Sequence, residues 1–369
     1  MRHEFFANRR NFLKTSALAG TALAGASGAI AQLASSSRPA KSDIAILRFL
    51  SALEQIEADL WLQYAELGGV RPESELKVPP KGNGPYTAAL ANLDTDMPQY
   101  INDNTDDEFT HHAFLNAYLE SVGAKEVDLG KFATLNGSKA DGSSGKKRLT
   151  NLMELTVDTS WWGRYRSSTK NPDLDPSFKF PQAVPDLVTN GPFTAIPRDN
   201  NDTKSKTQIQ AIANTAAFHF GFIEQGGTSL YPTLALRAND PVVLRILLSI
   251  GPSETMHFQV WHDKAGNAVA PPFNVTFGKL SFPDLSPTAK PGEDLQTNLI
   301  MPEPCPFLDR KFPAVSIIRP VSTDPKIFGA VQAVKGFTDD GLFIGQSQAF
   351  FALINELAQE ADQATRHCG

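Results

Sequence analysis

Glutamate and histidine stand three residues apart twice in this chain, in Glu108-Phe109-Thr110-His111 and in Glu254-Thr255-Met256-His257. On an α-helix three residues turn the chain about 300° and advance it about 4.5 Å, so the carboxylate and imidazole of each pair leave one face a turn apart and can chelate a cation. A single pair means little, because both residues are common. Here each pair follows an apolar stretch with a further glutamate: Leu53-Glu54-Gln55-Ile56-Glu57-Ala58 before the first, Phe222-Ile223-Glu224-Gln225-Gly226-Gly227 before the second. The order Glu, Glu-x-x-His, Glu, Glu-x-x-His is what a four-helix bundle needs to hold two metal ions between its helices.

The flanking residues support four helices. From Asp43, read as an N-cap, a stripe of Leu47, Leu50, Glu54, Glu57, Trp61 and Tyr64 falls at helical spacing, which puts both glutamates on the buried face. Gly68-Gly69 ends that helix. Residues 70 to 104 read as a long loop with one helical turn before Tyr100, after which Thr105 or Asp106 caps a second helix that runs to Ser121 and stops at Gly123. Phe114, Leu115 and Tyr118 are expected to continue its buried face. The third helix starts near Thr207, carries Glu224, and is kinked or ended by Pro232; Gly226-Gly227 within it suggests close helix contact. Asn239-Asp240-Pro241 caps the fourth, and Pro252 is expected to bend it just before Glu254. Between the second and third helices lies an insertion with Lys146-Lys147-Arg148, read as a solvated face, and Trp161-Trp162, read as packing the insertion onto the bundle. Beyond Gly266 a Pro-rich extension with a small sheet leads to helices at 326 to 334 and 346 to 366.

At these residues the chain resembles the ferritin-like superfamily, and within it the exported branch that includes desiccation-related proteins. That branch reads Leu-Glu-x-x-Glu-Ala, Glu-x-x-His followed by Phe-Leu, Glu-x-x-Gly-x-x-x-Tyr, and Glu-x-x-His. Here the matching residues are Leu53-Glu54 with Glu57-Ala58, Glu108 with His111 and Phe114-Leu115, Glu224 with Gly227 and Tyr231, and Glu254 with His257. The resemblance implies an all-α fold: a ferritin-like four-helix bundle (43–125 and 207–263) with a long insertion (126–206) and an irregular C-terminal extension (267–369). One position departs from the pattern, since Trp61 stands seven residues after Glu54 where a Tyr is expected. Tyr64 stands seven after Glu57, as Tyr231 does after Glu224, so the first-helix ligand is either Glu54 or Glu57.

The amino terminus is read apart from the fold. Asn8-Arg9-Arg10-Asn11-Phe12-Leu13-Lys14, an Ala/Gly/Leu stretch and Ala29-Ile30-Ala31 form a twin-arginine signal peptide over residues 1–31, which implies the twin-arginine translocation machinery as a partner and a periplasmic or secreted protein. Export after folding would let the chain choose its metal before meeting copper and zinc, which win on affinity alone. Two cysteines, Cys305 and Cys368, are read either as a disulfide that ties down the last residues, as two unpaired thiols, or as a link between chains. A net charge of -6 gives no reason to expect nucleic acid.

Four carboxylates and two imidazoles favour a di-iron or di-manganese centre over zinc. The expected ligands are Glu54 or Glu57, Glu108, His111, Glu224, Glu254 and His257, with Glu108 and Glu254 bridging; Tyr231 is the catalytic candidate beside them, a hydrogen-bond partner of a ligand. His112, His219 and His262 fit no ligand position. The expected activity is an oxidoreductase acting on dioxygen, peroxide or a small organic substrate; the alternative is a non-catalytic envelope protein protecting against stress or desiccation. A small homo-oligomer is allowed, whereas the insertion and tail would obstruct a hollow storage cage.

Overall fold

The computed structural model describes residues 38–70, 82–164, 177, 179–264, 275–285, 301–303, 315–317 and 329–367. The expected signal at 1–31 and both cysteines lie outside these residues. The described residues from Ala40 on belong to a single compact unit.

Four long helices make the bundle: α1 (Lys41–Gly68), α3 (Met97–Ser121), α6 (Lys206–Ala235) and α7 (Pro241–Lys264). Helix α1 packs along α3, and α6 along α7. Their facing sides bury Leu50, Trp61, Phe220, Phe258 and Trp261, all fully inaccessible, so the interior is set by large aromatic and aliphatic side chains. The second helix begins well before Thr105, and a further helix, α2 (Gly84–Leu93), occupies part of the stretch read as a loop. The cause is local. The Asn83 side chain accepts from the Tyr86 backbone and Pro85 lies in the first turn, so α2 has a proper start. Pro98 does the same for α3.

Asp43 is not an N-cap. Ala40 holds that position, and the Asp43 carboxylate instead accepts from the backbone N–H groups of Asn239 (2.8 Å) and Asp240 (3.2 Å), pinning the loop before α7 to the start of α1. Asp240 caps α7 through the N–H groups of Val242 and Val243. Helix α7 continues through Pro252 as one element. The carbonyl that Pro252 deprives of its usual N–H donor belongs to Leu248, an exposed residue. Pro232 likewise lies inside α6, which ends three residues later.

The insertion is tied down chiefly by polar side chains of α1. It holds a two-stranded ladder, β1 (Leu135–Asn136) with β2 (Lys147–Arg148), and two single-turn helices, α4 (Trp161–Arg164) and α5 (Asp186–Thr189). Asp59 accepts from Leu149 and Thr150, Gln63 donates to Thr150, and Glu66 pairs with Arg148 at 2.5 Å. Arg148 is therefore buried rather than solvated, the correction that an ion pair inside the fold imposes on the basic triplet. Trp161 packs the insertion onto α6, where a Cβ at Gly221 would stand 2.3 Å from its ring.

The extension adds two short antiparallel ladders, β3 (Thr276–Phe277) with β4 (Leu280–Ser281) and β5 (Met301–Glu303) with β6 (Val315–Ile317), then helices α8 (Ala330–Asp340) and α9 (Gln348–Asp362). Helix α9 packs on α1, and α8 packs on α9 and α6. Among the described residues no helix is long and apolar enough to cross a membrane.

Candidate metal centre

Each bundle helix delivers its acidic residue to one point between the four. Glu54, Glu108, His111 and Glu254 form one group and Glu108, Glu224, Glu254 and His257 another; within each, one donor atom from every residue lies within 4.8 Å of the others. The groups share Glu108 on α3 and Glu254 on α7, the geometry of two adjacent cation positions with two bridging carboxylates. His111 Nδ1 stands 3.2 Å from Glu54, 3.4 Å from Glu108 and 3.2 Å from Glu254. His257 Nδ1 stands 3.4 Å from Glu108 and 3.3 Å from Glu224. The four carboxylates are inaccessible, while the imidazoles keep about a tenth of their side chains exposed, His111 11% and His257 9%. The two imidazoles, on α3 and α7, are thus the most accessible members of the two groups.

The halves of the bundle support each other crosswise. Tyr231, seven residues after Glu224 on α6, donates a short hydrogen bond to Glu54 on α1. Trp61, seven residues after Glu54, donates from its indole to Glu224 at 2.9 Å. The residue before each Glu-x-x-His holds the other pair's imidazole: Ser253 Oγ lies 3.2 Å from His111 Nε2, and Asp107 Oδ2 lies 3.1 Å from His257 Nε2. Because the Ser253 hydroxyl is already donating to the Ile250 carbonyl and a carboxylate only accepts, both Nε2 atoms carry the proton. With the outer nitrogen so protonated, Nδ1 is the nitrogen that faces the cluster and would offer its lone pair to a cation.

Glu57 stands outside both groups. It is buried one turn beyond Glu54, and burial followed by repulsion from Glu108, Glu254, Glu54 and Glu224 raises its pKa well above the usual carboxylate range. The exchange of Trp61 and Tyr231 explains the register: the aromatic seven residues on supports the glutamate of the opposite half, so Tyr64 implies no ligand role for Glu57. Burial also raises Glu108 to about 7, against the pull of His111 and His257, and burial with repulsion from Glu108 and Glu54 raises Glu254 well above the usual carboxylate range. Glu54 is the exception, because His111 and the hydrogen bonds it receives outweigh burial and hold it low. Burial would lower both imidazoles, yet the facing glutamates hold each far above its ordinary value.

That balance describes a cluster built for cations and held together by protons without them. Both oxygens of Glu108, both of Glu254, Glu224 Oε2 and His257 Nδ1 are buried with no hydrogen-bond partner. Orphaned acceptors of this kind cost stability unless something positive sits among them. Gly227 leaves the space that Glu254 occupies: a Cβ there would stand 2.6 Å from Glu254 Oε2. The donor set and its buried acceptors fit a pair of divalent ions.

The sequence did not reveal Asp107, Ser253 or Asn104, whose amide donates to Glu224 at 2.7 Å and accepts from Trp261. The position of Asp107 and Ser253, each immediately before a Glu-x-x-His, was the available signal. His219 and His262 are buried and belong to neither group. His112 is half-buried, and Phe114 points outward on α3 rather than continuing the buried face, since Leu115 takes that direction. The Trp161 ring packs against Phe218, Phe258 and His262, the packing role expected of it.

Comparison with curated proteins and with solved structures returns no match in either case. The family model described as ferritin-like domain matches residues 42–267. That span contains the four bundle helices but for the first residue of α1, the insertion and every residue of both groups. With the all-α bundle and its converging carboxylates, the match shows that the chain belongs to the ferritin-like domain family.

Proposed function

We propose that this protein is an exported di-iron or di-manganese carboxylate oxidoreductase acting on dioxygen, peroxide or a small organic substrate. The observation that carries the reading is the pair of overlapping groups sharing Glu108 and Glu254, whose four oxygens are buried without a hydrogen bond. In it Glu54 and His111 would hold one ion, Glu224 and His257 the other, and Glu108 and Glu254 would bridge. A redox-active pair would supply electrons to an oxidant between the helices. The chain's own part is to orient the donors, keep bulk water out with Trp61, Trp261 and Phe220, and hold a proton at Tyr231 beside Glu54. Reactants that pass the imidazoles on α3 and α7 must be small.

Export rests on the Arg9-Arg10 pattern and the Ala29-Ile30-Ala31 site, with a periplasmic or secreted location following from it. The test is metal analysis of protein folded in the cell and exported intact. About two equivalents of iron plus manganese are expected from the ligand set, and a content under half an equivalent sinks the reading. A second reading, a desiccation or stress protector, is favoured by the parts that Gly227 and Tyr231 play, since both belong to the branch's pattern. Loss of the biological role in Glu108→Ala with His257→Ala would exclude a purely protective scaffold.

A further inference from the structure

A second buried polar chain lies beside the centre and takes no part in holding it. The Tyr64 hydroxyl lies 2.7 Å from His219 Nδ1, and His219 Nε2 lies 3.0 Å from Asp340 Oδ2. All three side chains are buried. With Asp340 ionised and accepting, Nε2 carries the ring proton, so the phenol donates to a free Nδ1 lone pair. Aromatic rings join this chain to the centre. Trp61 lies 5.7 Å from Tyr64 between ring centroids and donates to Glu224, while Phe220 touches both rings at 4.8 and 4.6 Å.

Tyr86 provides the contrast within the same molecule. It too is buried, and its hydroxyl donates to the Ala195 carbonyl at 2.7 Å, which satisfies the group and cannot take its proton. Tyr64 instead faces a base backed by a carboxylate. We propose that Tyr64, His219 and Asp340 form a redox-active tyrosine unit that delivers one electron through Trp61 to the oxidised metal pair. This rests on the reading of the centre as redox-active, with dioxygen or peroxide as the oxidant. Tyr64 gives up one electron and, at the same time, its phenolic proton to His219 Nδ1; the metal pair gains that electron. The products are a neutral phenoxyl and an imidazolium facing Asp340. Burial, then the nearby Tyr86 and Asp340, hold the Tyr64 phenol well above its ordinary pKa, so its proton leaves only with the electron.

The test is freeze-quench electron paramagnetic resonance on the full chain in two forms. Metal-loaded protein is mixed with hydrogen peroxide, and metal-free protein is oxidised with photogenerated ruthenium(III) tris-bipyridine. In both a neutral phenoxyl signal is expected that narrows when the protein carries ring-deuterated tyrosine. It should vanish in Tyr64→Phe and persist in Tyr86→Phe. In His219→Gln its formation should slow by about a hundredfold, the low end of what a positioned base contributes, with loss of the solvent isotope effect. A signal that survives Tyr64→Phe, or a rate indifferent to His219→Gln, overturns the proposal. A failure of the metal reading would show separately, as absent metal with the ruthenium signal intact. Circular dichroism establishes that each variant is folded, and the isotope effect is a readout that a purely structural role for the chain would not move.

Discussion

His111 and His257 face the same cluster, but the first rests on a serine hydroxyl and the second on an aspartate carboxylate. Their partner glutamates differ in the same way. Glu54 receives a phenol from Tyr231, whereas Glu224 receives an indole from Trp61 and an amide from Asn104 on one oxygen. Tyr231 donates an O–H to its carboxylate, whereas Trp61 and Asn104 donate N–H groups. A carboxylate behind His257 makes that imidazole the stronger donor. The His257 side is thus the more strongly supported and the His111 side the more weakly supported, an asymmetry laid over two halves with the same Glu-then-Glu-x-x-His order.

The comparison presumes that the shared glutamates join the two positions, and removing one is the strongest test. Glu108→Ala should reduce the metal content from about two ions per chain to near zero, because it strips a ligand from both positions at once. Glu57→Gln, outside both groups, should keep both ions. Elemental analysis of the two variants checks this, and a Glu108→Ala protein still holding a full pair would mean the positions are not bridged.

Next in size is the dependence of metal-free stability on pH. Glu108 is raised to about 7 and Glu57 and Glu254 are raised in the same direction, so the folded chain keeps protons that the unfolded chain gives up above about 4.5. His111 and His257, raised above their ordinary 6.5, act likewise. Stability from these groups is present at low pH and lost as pH rises through their folded values; Glu54, held low, works the other way and only below the same window. Glu108 alone would contribute about 3 kcal/mol by its shift. Melting temperature of chelator-treated protein should fall from pH 5 to pH 8, and loading with iron(II) or manganese(II) should flatten or reverse the slope. A metal-free protein that gains stability over that range would contradict the account.

The imidazole supports come third. Asp107→Asn should weaken the His257-side ion by roughly 10- to 100-fold, the usual effect of removing a carboxylate behind a ligand, and Ser253→Ala should weaken the other ion less. Competition against a chromophoric chelator separates the two. Equal losses would erase the distinction between a strongly and a weakly supported side.

How far the sequence reaches is visible in the same residues. Glu108, His111, Glu254 and His257 could be read because a turn of helix brings them together within one segment, and helix spacing needs no knowledge of the rest of the fold. The supports could not, since Ser253 meets His111 and Asp107 meets His257 across the bundle from distant parts of the chain. The choice between Glu54 and Glu57 failed on sequence for the same reason: the aromatic that identifies a ligand stands on the opposite half. Arg148 looked solvated among lysines, and only the fold brings Glu66 to it. Helix α2 had a readable start at Asn83-Gly84-Pro85, outweighed by the glycines and prolines around it.

The smallest effect tests how tightly α6 meets α7 beside the bridge, through two adjacent glycines that differ in what lies above them. At Gly227 a Cβ would stand 2.6 Å from Glu254 Oε2 and 3.3 Å from its Cβ, so Gly227→Ala must push the bridging carboxylate aside. At Gly226 nothing lies within 4 Å. Gly226→Ala should therefore stabilise the fold by about 0.5–1 kcal/mol, the ordinary gain of alanine over glycine inside a helix, with metal content unchanged. Gly227→Ala should forfeit that gain and loosen the metal pair. Thermal melts with and without metal read both outcomes, and a Gly227→Ala protein that melts higher and still binds two ions would show that Glu254 has room to move and that the bridge is held from elsewhere.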